Sequence, residues 1–154
     1  MVSSDFDFEI GEWLVRHHRL KDRLVGCHDW EEFDGTSATS HVLGGNGNVE
    51  DNDIHYPSGT YRAIAIRSFD EKSQSWAIWW LSAHTPHSLD VPVIGSFENR
   101  VGTFLAEDSL NGQPVLVRFL WLHTDTANPR WEQAMSLDGG ISWETNWTMD
   151  FRRS

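Results

Sequence analysis

Apolar and polar residues alternate with a period of two along most of this chain, in short runs, and the 3.6-residue period of an amphipathic helix is nearly absent. Such runs, separated by turn signals, predict strands over residues 12–21, 28–37, 39–43, 61–69, 75–82, 93–97, 101–106, 114–123, 130–136 and 144–151. Residues 70–74, residues 98–100 and the Asn111-Gly112 pair have the composition of hairpin turns, because Asn-Gly tolerates the positive φ of a tight turn. Successive hairpins make a meander, and a meander of about ten strands escapes exposed edges by closing on itself. The expected fold is therefore all-β, a single antiparallel meander barrel forming one domain over residues 1–154. Two stretches interrupt the rhythm. Residues 44–59, opening with Gly44-Gly45-Asn46-Gly47, read as a mobile loop at the barrel mouth, and residues 86–92 are rich in Pro and His.

Alternation also assigns faces, since neighbouring side chains on a strand point to opposite sides. With Trp13 inward, Val15, His17 and Arg19 follow it. Trp76, Ile78 and Trp80 point in from the fifth run, Val115, Val117, Phe119, Trp121 and His123 from the eighth, and Trp131, Gln133 and Met135 from the ninth. Alternation leaves two phases open for the second and last runs: in the second, Trp30 and Glu32 are favoured as inward, and in the last, a phase with Trp147, Met149 and Phe151 inward would leave Asn146 out. This phase gathers His17, Glu32, His123 and Gln133 among four indoles. Apolar walls with a few polar groups describe a small-molecule pocket, so Trp30, Trp80, Trp121, Trp131 and Gln133 are the expected ligand-binding residues. A barrel filled by its own side chains is the plainer reading of the same pattern. A buried carboxyl beside a histidine is also a workable acid–base pair. His17, Glu32 and His123 are accordingly the catalytic candidates of the alternative reading, a cofactor-free isomerase, cyclase or lyase.

Composition sharpens this picture. Nine Trp and eight Phe supply large, stiff apolar surfaces. The formal net charge of −11, with no basic run longer than Arg152-Arg153, excludes a phosphate-backbone footprint and hence nucleic acid. No apolar run approaches the roughly 20 residues of a membrane span, and the acidic start lacks the features of a secretion signal, so a cytoplasmic location is expected. The lone Cys27 excludes an internal disulfide. His84 and His87 lack a helix to align them, and Asp51 and Asp53 lack EF-hand spacing, so neither metal nor cofactor is expected. The expected partner is a small apolar ligand, and the sequence is compatible with a homodimer.

Gly11-Glu12-Trp13 is similar to the G-x-W that opens lipocalin and fatty-acid-binding barrels, where the Trp plugs one end. Together with Trp30-Glu31-Glu32-Phe33-Asp34-Gly35-Thr36, Tyr61-Arg62, Arg130-Trp131-Glu132-Gln133-Ala134 and Trp143-Glu144-Thr145-Asn146-Trp147, it makes the chain resemble an uncharacterised bacterial family of calycin-like proteins. That resemblance implies a lipocalin-like barrel and carries no settled activity. Heme-binding barrels of this type use a histidine near the C-terminus, whereas the last histidine here is His123. Ser136-Leu137-Asp138-Gly139-Gly140-Ile141-Ser142-Trp143 resembles the Asp-box hairpin, S-x-D-x-G-x-[ST]-W, and implies a structural turn capped by Asp138 with Trp143 packed over it.

Overall fold

A computed structural model describes residues 2–154. Its strands are β1 (Gly11–Leu20), β2 (Trp30–Val42), β3 (Gly47–Ile54), β4 (Tyr61–Asp70), β5 (Ser75–Ser82), β6 (Val93–Glu98), β7 (Val101–Leu110), β8 (Gln113–Leu122), β9 (Arg130–Ser136) and β10 (Glu144–Arg153). Each pairs antiparallel with the next. The ring closes between β1 and β10, from Trp13 opposite Arg153 to Arg19 opposite Trp147. The expected closed meander of ten strands is therefore present, and no strand is left with a free edge. Among the described residues no helix is long and apolar enough to cross a membrane.

The strand boundaries differ from expectation in one region. Residues 28–37 and 39–43 belong to a single long strand, β2, and the stretch expected to be loop contains β3. β3 shows the burial alternation of any barrel strand, but its inward residues are Asn48, Glu50 and Asn52, followed by Ile54. A polar inner face erases the hydrophobic signal by which strands are found. The Gly44-Gly45 turn precedes β3 at the end of the barrel opposite the mouth, where Phe69 donates its backbone N–H to the Asn46 carbonyl at 2.8 Å.

That opposite end is sealed. The 3-10 turn Asp7–Glu9 crosses it, inserting Phe6 edge-on against Trp76 and Phe97, each at 4.9 Å, while Phe8 meets Trp121 at 5.5 Å. Trp13 donates its indole N–H to the Glu9 carbonyl at 2.8 Å, tying the plug to β1. Gly11 takes φ +121°, and the Arg153 guanidinium occupies the space a Cβ would need, lying 3.7 Å over the Trp13 ring. The glycine and tryptophan of the G-x-W thus serve one joint. Burying each such aromatic side chain contributes roughly 1.5–3 kcal/mol, so the sealed end is a major part of the core.

At the mouth, the β9–β10 connection takes the expected Asp-box form. Asp138 accepts the Ser142 backbone N–H at 2.9 Å and the Ser136 hydroxyl at 2.7 Å, with Gly139 and Gly140 at positive φ. The Ser142 hydroxyl, which donates to Asp138 Oδ2, together with these two bonds holds the Asp138 carboxyl down to about 2. Trp143 lies against the Arg118 guanidinium, 4.4 Å away.

Candidate functional site

The lumen is divided by a polar layer. Arg67 of β4 donates to Asn48 Oδ1 at 2.8 Å and to Glu50 Oε1 at 2.6 Å, and Asn52 donates to Glu50 Oε2 at 2.9 Å. The guanidinium lies 4.7 Å from the Phe6 ring centre and 5.3 Å from that of Trp121. All four polar side chains are buried, as is Glu9 beside them. Burial and the neighbouring Glu50 charge push the Glu9 carboxyl well above the usual carboxylate range. Burial works most strongly against Glu50 as a charge, but the Arg67 charge together with hydrogen bonding from Glu9, Arg67 and Asn52 outweighs it and holds Glu50 low. The proton therefore resides on Glu9, and Glu50 is the ionised partner of Arg67. Beside this layer a gap of about 10 Å³ lies between Arg67, Trp80, Trp121, Trp131 and Met149, room for no more than a single water.

Beyond that gap the lumen opens. An inner chamber of about 190 Å³ is walled by Trp80, Trp131, Trp147 and Phe119, with Gln133 level with them and Tyr61, Arg19, Arg23, His84 and Asp90 toward the opening. Trp131 and Trp80 both meet Trp147 edge to face, at 5.5 and 5.8 Å, and Trp131 meets Phe119 at 5.1 Å. Gln133 donates to Asn146 Oδ1 at 2.8 Å. An outer cleft of about 490 Å³ lies above, formed by residues 19–23, the segment 56–61 with its Tyr56 and Tyr61, His84 and the β7–β8 hairpin. Arg19, Arg23, Tyr61 and His84 line both spaces and so mark their junction.

Electrostatics distinguish this junction. Arg19 lies flat over Trp147, 4.7 Å from the ring centre, and its one hydrogen bond is a long one to the Tyr61 hydroxyl at 3.4 Å. Arg23, in the β1–β2 loop, has no hydrogen bond or ion pair among the described residues. Burial, with the like charge of Arg19 adding to it, pulls Arg23 down to about 10. Burial raises the Tyr61 hydroxyl against the opposing pull of Arg19 and Arg23. The Asp90 carboxyl is likewise raised by burial and by Asp108.

Of the residues expected to bind ligand, Trp80, Trp131 and Gln133 line the chamber. Trp121 is inside the barrel but on the sealed side of the polar layer, fully buried against Phe6 and Phe8. Trp30 is a correction: it stands on the outer face, 39% exposed. The phase of β2 is the reverse of that expected, because Phe33, Gly35, Ser37 and Thr39 are its inward residues. Gly35 has to face in, since a Cβ there would lie 3.0 Å from His17 Nε2 and 2.5 Å from the Asp53 carbonyl.

The three acid–base candidates are not brought together. His17 is inward and sealed, stacked on Phe33 at 4.8 Å and accepting the Trp147 indole N–H at Nδ1. Glu32 is outside, bound to Arg16 and His18, each at 3.0 Å. His123 lies past the end of β8 at the sealed end, where φ of 55° turns it to solvent and its carbonyl accepts the Thr126 N–H. The open phase of the last strand is resolved by an irregularity. A bulge between Thr145 and Trp147 lets both Asn146 and Trp147 face inward.

Alternation from Trp13 does place Arg19 inward, as expected, but its unpaired charge is invisible in sequence. Arg23 and Asp90 sit in connections, where no alternation exists to point at them. Arg67 lies in a run whose other inward residues are Ala63, Ala65 and Phe69, and that phase was its available signal. No protein-family model matches this chain, and no characterised protein shows a significant match to it.

Proposed function

We propose that this barrel binds a small aromatic or hydrophobic molecule in the chamber at its open end. What supports the reading is the chamber itself: a concave space of about 190 Å³ walled on one side by three indoles and Phe119, with Gln133 level with them and polar and charged groups completing its lining. Edge-to-face packing among Trp80, Trp131 and Trp147 holds the walls in fixed orientations, so little ordering accompanies binding. The contacts centre on Trp80, Trp131, Trp147 and Gln133 rather than on Trp30 or Trp121. Glu32 on the outer face and His123 at the sealed end lie apart from His17, which supports the binding reading over an enzyme built on those three residues.

Titration with a neutral two-ring probe, 2-naphthalenemethanol, tests this through quenching of tryptophan fluorescence. Saturable binding that weakens in Trp131→Ala is the expected result. Absence of saturable binding for any aromatic probe would refute the reading.

A further inference from the structure

Twenty-three acidic side chains face twelve basic ones in this protein, and among the described residues six of the twelve form ion pairs with carboxylates. Arg16 is paired with Glu32 and Asp34, Arg62 with Asp51 and Asp53, Arg67 with Glu50, Arg100 with Asp125, Arg130 with Glu132 and Asp150, and Lys21 with Asp29. Lys72, Arg118, Arg152, Arg153, Arg19 and Arg23 have no such partner among the described residues, and of these only Arg19 and Arg23 line the junction between the inner chamber and the outer cleft. Two like charges gathered in a partly desolvated space oppose each other, an arrangement that an anion would relieve.

We infer that the ligand is an aromatic carboxylate, its ring in the indole-walled chamber and its carboxylate bridging Arg19 and Arg23. This rests on reading the chamber as an aromatic-ligand site. Planar guanidinium forks match the two oxygens of a carboxylate and donate charge-assisted hydrogen bonds to it. Tyr61 accepts from Arg19 through its oxygen, which leaves its own O–H free to donate to the same anion. The one acidic side chain lining the chamber, Asp90, feels the Arg23 charge but forms no ion pair with either arginine, and burial and Asp108 outweigh that attraction and disfavour its charge. Position completes the match. The arginines stand at the opening and the apolar walls below them, so an acid enters ring first and leaves its charged end at the rim.

The test compares 2-naphthoate with 2-naphthalenemethanol, which share a ring system and differ in charge, by tryptophan quenching of the purified full chain. The acid is expected to bind about tenfold or more tightly than the alcohol, as charge-assisted bonds to two guanidiniums require. In Arg19→Gln and in Arg23→Gln that ratio is expected to fall toward one, with far-UV circular dichroism reporting that each variant is folded. Equal affinities for acid and alcohol in the unaltered protein would overturn the inference and leave the aromatic site standing. Failure of both probes to bind would remove the site itself. The comparison in the unaltered protein decides the matter even where a variant does not fold.

Discussion

The indole N–H of Trp147 donates to Nδ1 of His17 at 3.1 Å, joining a wall of the open chamber to a histidine sealed behind it. Nδ1 must carry a lone pair to accept this bond, so the imidazole is neutral, and burial pulls its pKa down to about 4 from the ordinary 6.5. The folded state thus resists protonation more than the unfolded chain does. Its contribution is complete above pH 6.5 and is lost as pH falls toward about 4, a loss of roughly 3 kcal/mol for one group. Denaturant midpoints measured across this range are expected to fall with pH, and His17→Gln, which keeps an acceptor but does not titrate, is expected to flatten that part of the curve.

Glu9 acts in the opposite direction. Its carboxyl is raised in the folded protein above the ordinary 4.5, so the native state holds a proton the unfolded chain releases, and stability falls as pH rises from 4.5 through the folded value. Glu9→Gln keeps a neutral side chain of the same shape. It is expected to leave stability near pH 4 little changed and to raise it at pH 8, read from chemical denaturation at the two pH values.

Arg67 is the charge that keeps Glu50 ionised in the barrel interior. Arg67→Met leaves a buried carboxylate without its partner and is expected to cost about 3–5 kcal/mol at neutral pH. Removing the carboxylate as well, in an Arg67→Met, Glu50→Gln double variant, is expected to recover part of that loss. A double-mutant cycle on unfolding free energies measures both.

Gly35 and His17 share one space across the β1–β2 pair. Gly35→Ala forces a methyl group against both the imidazole and the Asp53 carbonyl and is expected to destabilise by about 1–3 kcal/mol. Thermal unfolding checks it.

Trp30 and Trp131 separate the outer face from the chamber. Trp30→Ser is expected to leave aromatic-probe affinity unchanged, whereas Trp131→Ala weakens it. Asp90→Asn removes the negative charge nearest the proposed carboxylate and is expected to strengthen 2-naphthoate binding several-fold without a matching change for the alcohol. Fluorescence titration of the three variants distinguishes the surfaces.

Period-two alternation and turn chemistry were enough to determine an all-β meander, its ten-strand closure and the inward phase of β1, β5, β8 and β9, because they rest on neighbours in sequence, while the joint at Trp13 was implied by the resemblance of Gly11-Glu12-Trp13. Strand β3 escaped notice since its inner face is polar, and it is stable inside only because Arg67, from the next strand, meets Glu50 and Asn48. The phase of β2 turned on Gly35 yielding room to His17, a contact between chains of residues that local pattern does not weigh. Tertiary structure alone decided where the lumen is solid and where it opens. That depends on which side chains from different strands reach the same height in the barrel: Phe6, Trp121 and Arg67 fill one half, and Arg19 and Arg23 meet, without a carboxylate between them, at the mouth of the other.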